Sequence, residues 1–139
     1  MPRPYPPLFS KPIFWILALA ASIAAMPAQA TSAKEQMDAY AAQSGQPPQP
    51  VHGQAFFTTN HGQEWACASC HTDKPTVEGK HASTGKAIKP MAPAVNTDRF
   101  SDAAKTEKWF RRNCNDVVGR ECTAGEKADV IAWLLTLKP

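Results

Sequence analysis

The sequence has only seven glycines in 139 residues and holds neither GxxxxGK[ST] nor GxGxxG. Nothing in it is built to cradle a nucleotide phosphate. Charge of one sign is also scarce. Its 15 basic and 12 acidic residues give a net +3, too little to mark a nucleic-acid surface. No segment alternates apolar and polar residues well enough for a strand, and no repeat is present. An apolar content of 43% with 19% charge nevertheless places the chain among globular proteins rather than disordered ones. Its length suits one domain.

The first 30 residues read as a secretory leader. Arg3 and Lys11 supply the positive region, Ile13 to Ala25 the apolar stretch, and Ala28-Gln29-Ala30 the small-x-small cleavage site. An uncleaved anchor is the other reading, but a membrane span needs roughly 20 apolar residues. Cleavage leaves residues 31–139 as the mature domain, with no further span. The leader takes two of the 15 basic residues and none of the 12 acidic ones, so the mature chain is close to neutral. All four cysteines, Cys67, Cys70, Cys114 and Cys122, lie in the exported part. The expected location is the periplasm, where an unmodified cysteine pair tends to oxidise.

The mature chain reads as all-α, with about four helices. Ala33 to Gln43 is Ala-rich and free of Pro, and Gly45 to Pro50 breaks it. Val51 to Thr59 suits a second short helix. Thr72 to Val95 is rich in Lys, Gly and Pro and reads as a long loop. Phe100 to Arg112 returns to helix, with Ser101 as its cap and Asp102 at the positive end of its dipole. Thr123-Ala124-Gly125-Glu126 matches a capping box, and Lys127 to Lys138 forms an amphipathic helix with Ala128, Ile131 and Leu135 on one face. Short helices around a long loop make a thin core. A large buried cofactor would fill it.

Cys67-Ala68-Ser69-Cys70-His71 supplies the chemistry for one. Two thiols at CxxC spacing can each add to a haem vinyl group, and the next residue, His71, then becomes the proximal iron ligand. Three other readings compete. A thioredoxin-like CxxC lacks a surrounding βαβ pattern. A four-cysteine zinc site needs closer spacing than Cys114 and Cys122 offer. A plain Cys67–Cys70 disulfide leaves His71 unexplained.

Several further stretches carry a resemblance. They are Gly53-Gln54-Ala55-Phe56-Phe57, then Thr84 to Pro93, Asp98-Arg99-Phe100 and Glu107-Lys108-Trp109. Arg112-Asn113-Cys114-Asn115-Asp116, Gly119-Arg120-Glu121-Cys122 and Gly125 to Asp129 complete them. Together they resemble the sphaeroides haem protein (SHP) family of small cytochromes c, and are similar also to cytochrome c double-prime. The resemblance implies a class I cytochrome c fold around one covalently bound haem c. The Gly53–Phe57 stretch resembles the amino-terminal helix of class I cytochromes c, which implies that this helix crosses the carboxy-terminal one, with Gly53 allowing close approach and Phe57 meeting Trp133 or Leu134. The SHP resemblance also implies a Cys114–Cys122 disulfide and a weak distal ligand, Asn113, where cytochrome c double-prime has a His. Oxygen or nitric oxide as ligand and a dihaem cytochrome c as electron donor follow from the same resemblance. It leaves slow turnover of the bound gas open, with no catalytic residue assigned.

An amide oxygen is a neutral, rather hard ligand that suits ferrous iron poorly. The other reading of Asn113 is a helix cap after Arg111-Arg112. Met91, 20 residues beyond His71, is the rival distal ligand and would make the chain a plain electron carrier. His52, His61 and His81 read as exposed. Arg99 and Lys86 are candidates to pair with haem propionates, with surface ion pairs as the alternative. Trp109 and Phe100 are expected to pack the haem. Lys74, Lys80, Lys86 and Lys89 form a loose basic set that could dock an acidic donor or be merely solvated. A peroxidase reading lacks a distal His–Arg pair, although Arg111 and Arg112 neighbour Asn113.

Overall fold

The computed structural model describes residues 1–3 and 30–139, so the leader expected over residues 1–30 lies almost wholly outside the described residues. Five helices and one small ribbon follow in chain order. Helix α1, Ala33–Ser44, starts at a capping box. Glu35 N donates to Ser32 Oγ (3.1 Å) while Ser32 N donates to the Glu35 carboxylate (2.6 Å). Gly45, at φ 70°, closes it in the left-handed region that glycine enters freely. Helix α2, Pro50–Thr58, opens on Pro50, whose missing N–H costs nothing in the first turn. Helix α3, Cys67–His71, is a single turn.

Helix α5, Ala124–Thr136, begins at the box read from the sequence, with Glu126 N donating to Thr123 Oγ1 (3.2 Å). Its middle is apolar on every side: Val130, Ile131, Ala132, Trp133 and Leu134 are all buried. A helix of that kind belongs at the centre of a fold. Helices α1 and α2 both pack on it. Phe57 of α2 meets Trp133 with ring centroids 5.0 Å apart. One turn earlier, Gly53 lies against the α5 backbone. A Cβ there would sit 2.8 Å from Val130 N and closer still to the Asp129 carbonyl. The close crossing expected of Gly53 and Phe57 is present.

Helix α4 departs from expectation. It spans Ala103–Val118 rather than Phe100 to Arg112. Asp102, not Ser101, caps it by accepting from Lys105 N (2.9 Å), because the Ser101 hydroxyl is spent on the Asp98 carbonyl (2.9 Å). Its end is Gly119 at φ 74°. Asn113 is therefore interior to the helix, and the cap reading of that residue is wrong. The loop after His71 also holds a two-stranded ribbon, β1 Gly79–Lys80 against β2 Ala87–Ile88, antiparallel with Gly79 opposite Ile88. Strands of two residues are too short to show alternation.

The α5 cap carries a pH dependence. Arg120 forms a two-pronged pair with Glu126 (2.8 and 2.6 Å). That pair, then the Thr123 backbone, holds the Glu126 carboxyl below its usual 4.5 against the opposing effect of burial. A depressed carboxyl stabilises the fold above 4.5, and the contribution fades as pH drops through the lower folded value. Glu126→Gln is expected to lower the urea midpoint at pH near 7 and to lower it less in acid, as the pH falls below the usual 4.5 toward the folded value. Equal losses at both would show that the charge is irrelevant.

Candidate haem site

On the turn of α3, Cys67, Cys70 and His71 stand at i, i+3 and i+4, which places them on one side. Cys67 and Cys70 are not bonded to each other, so the plain disulfide expected as an alternative is not formed. Burial, opposed by a backbone hydrogen bond and helped by Cys70, pushes the Cys67 thiol up to about 11. A redox-active CxxC needs the opposite shift, toward thiolate. Burial, with the positive charge of Arg99 behind it, lowers His71 to about 4. Its imidazole is then neutral, with a lone pair to give a metal. The Phe57 ring lies 6.2 Å from that of His71. Cys67, Ala68 and Met91 all pack against the core cluster of Phe57, Phe100, Ile131, Trp133 and Leu134.

The chain leaving α3 is tightly held. Thr72 adopts φ 62°, a conformation costly for a residue with a Cβ. Gly79 lies over the α3 backbone: a Cβ on it would collide with the Cys70 carbonyl and come within 3.0 Å of His71 Cα. The N–H of Ala82 points at Cys70 Sγ (3.3 Å). Buried Pro75 offers its carbonyl to the N–H groups of Met91 (2.9 Å) and Ala92 (3.0 Å). The segment bearing Met91 is thereby fastened beside α3.

Arg99 is half-buried and makes no ion pair among the described residues. Its guanidinium donates to the carbonyls of Lys89 (2.8 Å) and Pro90 (3.3 Å). A half-buried cation without an anion is what a carboxylate-bearing cofactor would complement. Phe100, at φ 64°, is buried in the core, and its carbonyl accepts from Gln36 Nε2 and Thr31 Oγ1. Gln36 itself is 4% exposed. In the sequence it looks like one more surface residue of an Ala-rich helix.

The remaining candidates are placed separately. Lys86 and the other lysines of the loop, Lys74, Lys80 and Lys89, are exposed and make no ion pair among the described residues. Trp109 is 43% exposed, with the Arg112 guanidinium 5.7 Å from its ring. Asn113 lies one turn beyond Trp109, on the side of α4 that also carries buried Thr106 and Val117. Its carboxamide is exposed and forms no hydrogen bond among the described residues. In the structure Cys114 and Cys122 are disulfide-bonded, Cα atoms 5.6 Å apart, so they cannot join Cys67 and Cys70 in a zinc cluster.

The residues thus fit a covalently bound haem: two free thiols, a neutral imidazole, an apolar wall and a half-buried cation with no ion-pair partner among the described residues. Comparison with known proteins agrees. Residues 43–134 match the family model "Domain of unknown function (DUF1924)". The chain is 50% identical over 93 residues to cytochrome c″ of Methylophilus methylotrophus, covering 64% of this chain and 65% of that protein, slightly under two thirds of its length. It is 44% identical over 108 residues to the cytochrome c-type protein SHP of Cereibacter sphaeroides, covering 75% and 83%. The solved structure of oxidised SHP, an oxygen-binding cytochrome c, superposes with a TM-score of 0.73 at 42% identity, over 78% of this chain and 99% of that one. No helix of the described residues is long and apolar enough to cross a membrane. The chain belongs to the DUF1924 family and, with SHP and cytochrome c″, to the small cytochromes c, whose prosthetic group is haem c.

Proposed function

We propose that this chain is an exported monohaem cytochrome c that takes up an electron and then binds a diatomic gas, oxygen or nitric oxide. Cys67 and Cys70 anchor the haem and His71 ligates it from the proximal side. Bound haem supplies a one-electron couple and an iron centre for small ligands. Asn113 offers its carboxamide oxygen as a weak sixth ligand and withdraws it on reduction. The same side chain can then donate an N–H to the gas. The Cys114–Cys122 bridge fixes the backbone beside it. Arg99, and less directly Lys86, balance the propionates, while Phe100 and Trp109 flank the ring. A dihaem cytochrome c of the periplasm is the electron donor.

The observation that carries this reading is the state of the Asn113 carboxamide: it is accessible, without a hydrogen bond among the described residues, and rooted in a disulfide-braced helix. Met91, by contrast, is packed against the core with its backbone tied to Pro75. The relative SHP is itself an oxygen-binding cytochrome c. Absorption spectra of the purified holoprotein in both oxidation states provide the test. The reduced form is expected to be high-spin and to take up carbon monoxide at once. A low-spin reduced form indifferent to carbon monoxide would instead make the chain an electron shuttle with Met91 as permanent ligand.

A further inference from the structure

Helix α4 meets the rest of the molecule in an unusual way. Helices α1 and α2 each pack closely on α5, whereas α4 stands farther from all three. It is held by side-chain ties. Phe110 lies 5.9 Å from the Tyr40 ring and 6.4 Å from the Phe100 ring. Cys114 is bonded to Cys122. The third tie is polar. Glu107 accepts two hydrogen bonds from Lys127 Nζ (2.9 and 2.8 Å) and a third from Tyr40 Oη (2.8 Å). The Lys127 ammonium sits 5.2 Å from the centre of the Tyr40 ring, and Lys127 is 8% exposed. Arg111 reaches Glu107 (3.9 Å) and, on its other side, Glu121 (3.5 Å), the neighbour of Cys122. One carboxylate thus joins α1, α4 and α5, and its network runs on to the disulfide loop.

Such a knot is expensive unless every partner is in place. Burying the lysine gains nothing for apolar packing. Its geometric effect is specific, however. Glu107 and Asn113 lie on opposite flanks of the inward stripe of α4, with Phe110 and Cys114 between them. Phe110 and the disulfide set the distance of the helix from its neighbours. Rotation about its own axis is governed from the flank, where Glu107 is tethered. A helix that rolls carries Asn113 with it.

We infer that Glu107, held by Lys127 and Tyr40, is a positioning residue that sets the roll of α4 and hence the reach of Asn113 toward the iron. The inference rests on Asn113 being the sixth ligand. Loss of the tether lets α4 roll, weakens the hold of Asn113 and eases its displacement by an external ligand of the ferric protein.

Azide titration of the ferric holoprotein tests this, with urea midpoints and EPR spin state recorded in parallel. Glu107→Gln is expected to raise azide affinity by about tenfold, the scale of coupling within one hydrogen-bond network, and to increase the high-spin fraction. In an Asn113→Ala background the same change is expected to leave azide affinity unaltered, because nothing remains to be positioned. Tyr40→Phe removes one hydroxyl and keeps the ring. It is expected to give about a threefold effect in the same direction, and it serves if Glu107→Gln does not fold. An equal rise with and without Asn113, or no rise in either variant, overturns the inference. If Asn113→Ala alone leaves azide binding unchanged, the ligand assignment fails and the inference fails with it. If Asn113→Ala raises affinity but Glu107→Gln and Tyr40→Phe do not, the inference alone fails.

Discussion

Asn113→Ala is expected to leave the protein folded and to raise the affinity of its ferric form for azide or imidazole by about tenfold or more. The side chain is exposed and makes no hydrogen bond among the described residues, so its removal opens no cavity and orphans no partner. Alanine is also the better helix former at an interior helical position. Under the proposed ligation, what disappears is the group that competes with the incoming ligand for ferric iron. Carbon monoxide binding to the reduced form is then expected to change little, since the proposal has the amide released on reduction. Spectrophotometric titration of both states checks the pair of outcomes. Unaltered anion affinity would remove Asn113 from the coordination sphere.

Gly53→Ala is the most damaging single change expected of the scaffold. The added Cβ falls 2.8 Å from Val130 N and nearer still to the Asp129 carbonyl, and both are backbone atoms of α5 that cannot swing aside. Helices α2 and α5 must separate, and the Phe57–Trp133 contact one turn away separates with them. Overpacking of this kind costs about 3 kcal/mol, a large share of the margin by which a domain is stable. Because Phe57 also lies beside His71, the haem spectrum is expected to broaden together with the loss of stability. Urea denaturation of the holoprotein measures the cost. A midpoint within error of the parent would mean that the crossing is looser than it looks.

Much of this architecture was legible in residues that act locally. The capping box of Thr123 with Glu126 is written within four consecutive positions. Cys67, Cys70 and His71 announce their chemistry in a single turn. The far end of α4 was not legible. Asn113, Asn115 and Asp116 are poor helix formers that favour turns, so the helix reads as finished at Arg112. Tertiary context, including the bond from Cys114 to Cys122, carries it on to Val118.

The polar knot was hidden for a different reason. Tyr40 and Glu107 are 67 residues apart, and Glu107 and Lys127 are 20 apart. Lys127 looks like the solvated start of an amphipathic helix. Only the fold turns it inward. The same holds for Gln36, which becomes a buried anchor solely because the Phe100 carbonyl comes to meet it.

The loose attachment of α4 has a consequence for how such proteins diversify. Helices α1 and α2, each packed on α5, form the chassis. Asn113, the proposed distal ligand, rides on an outboard arm fastened by a bridge, an aromatic and a carboxylate. Under the proposed ligation, exchanging that one exposed side chain would change what meets the iron without disturbing the buried core.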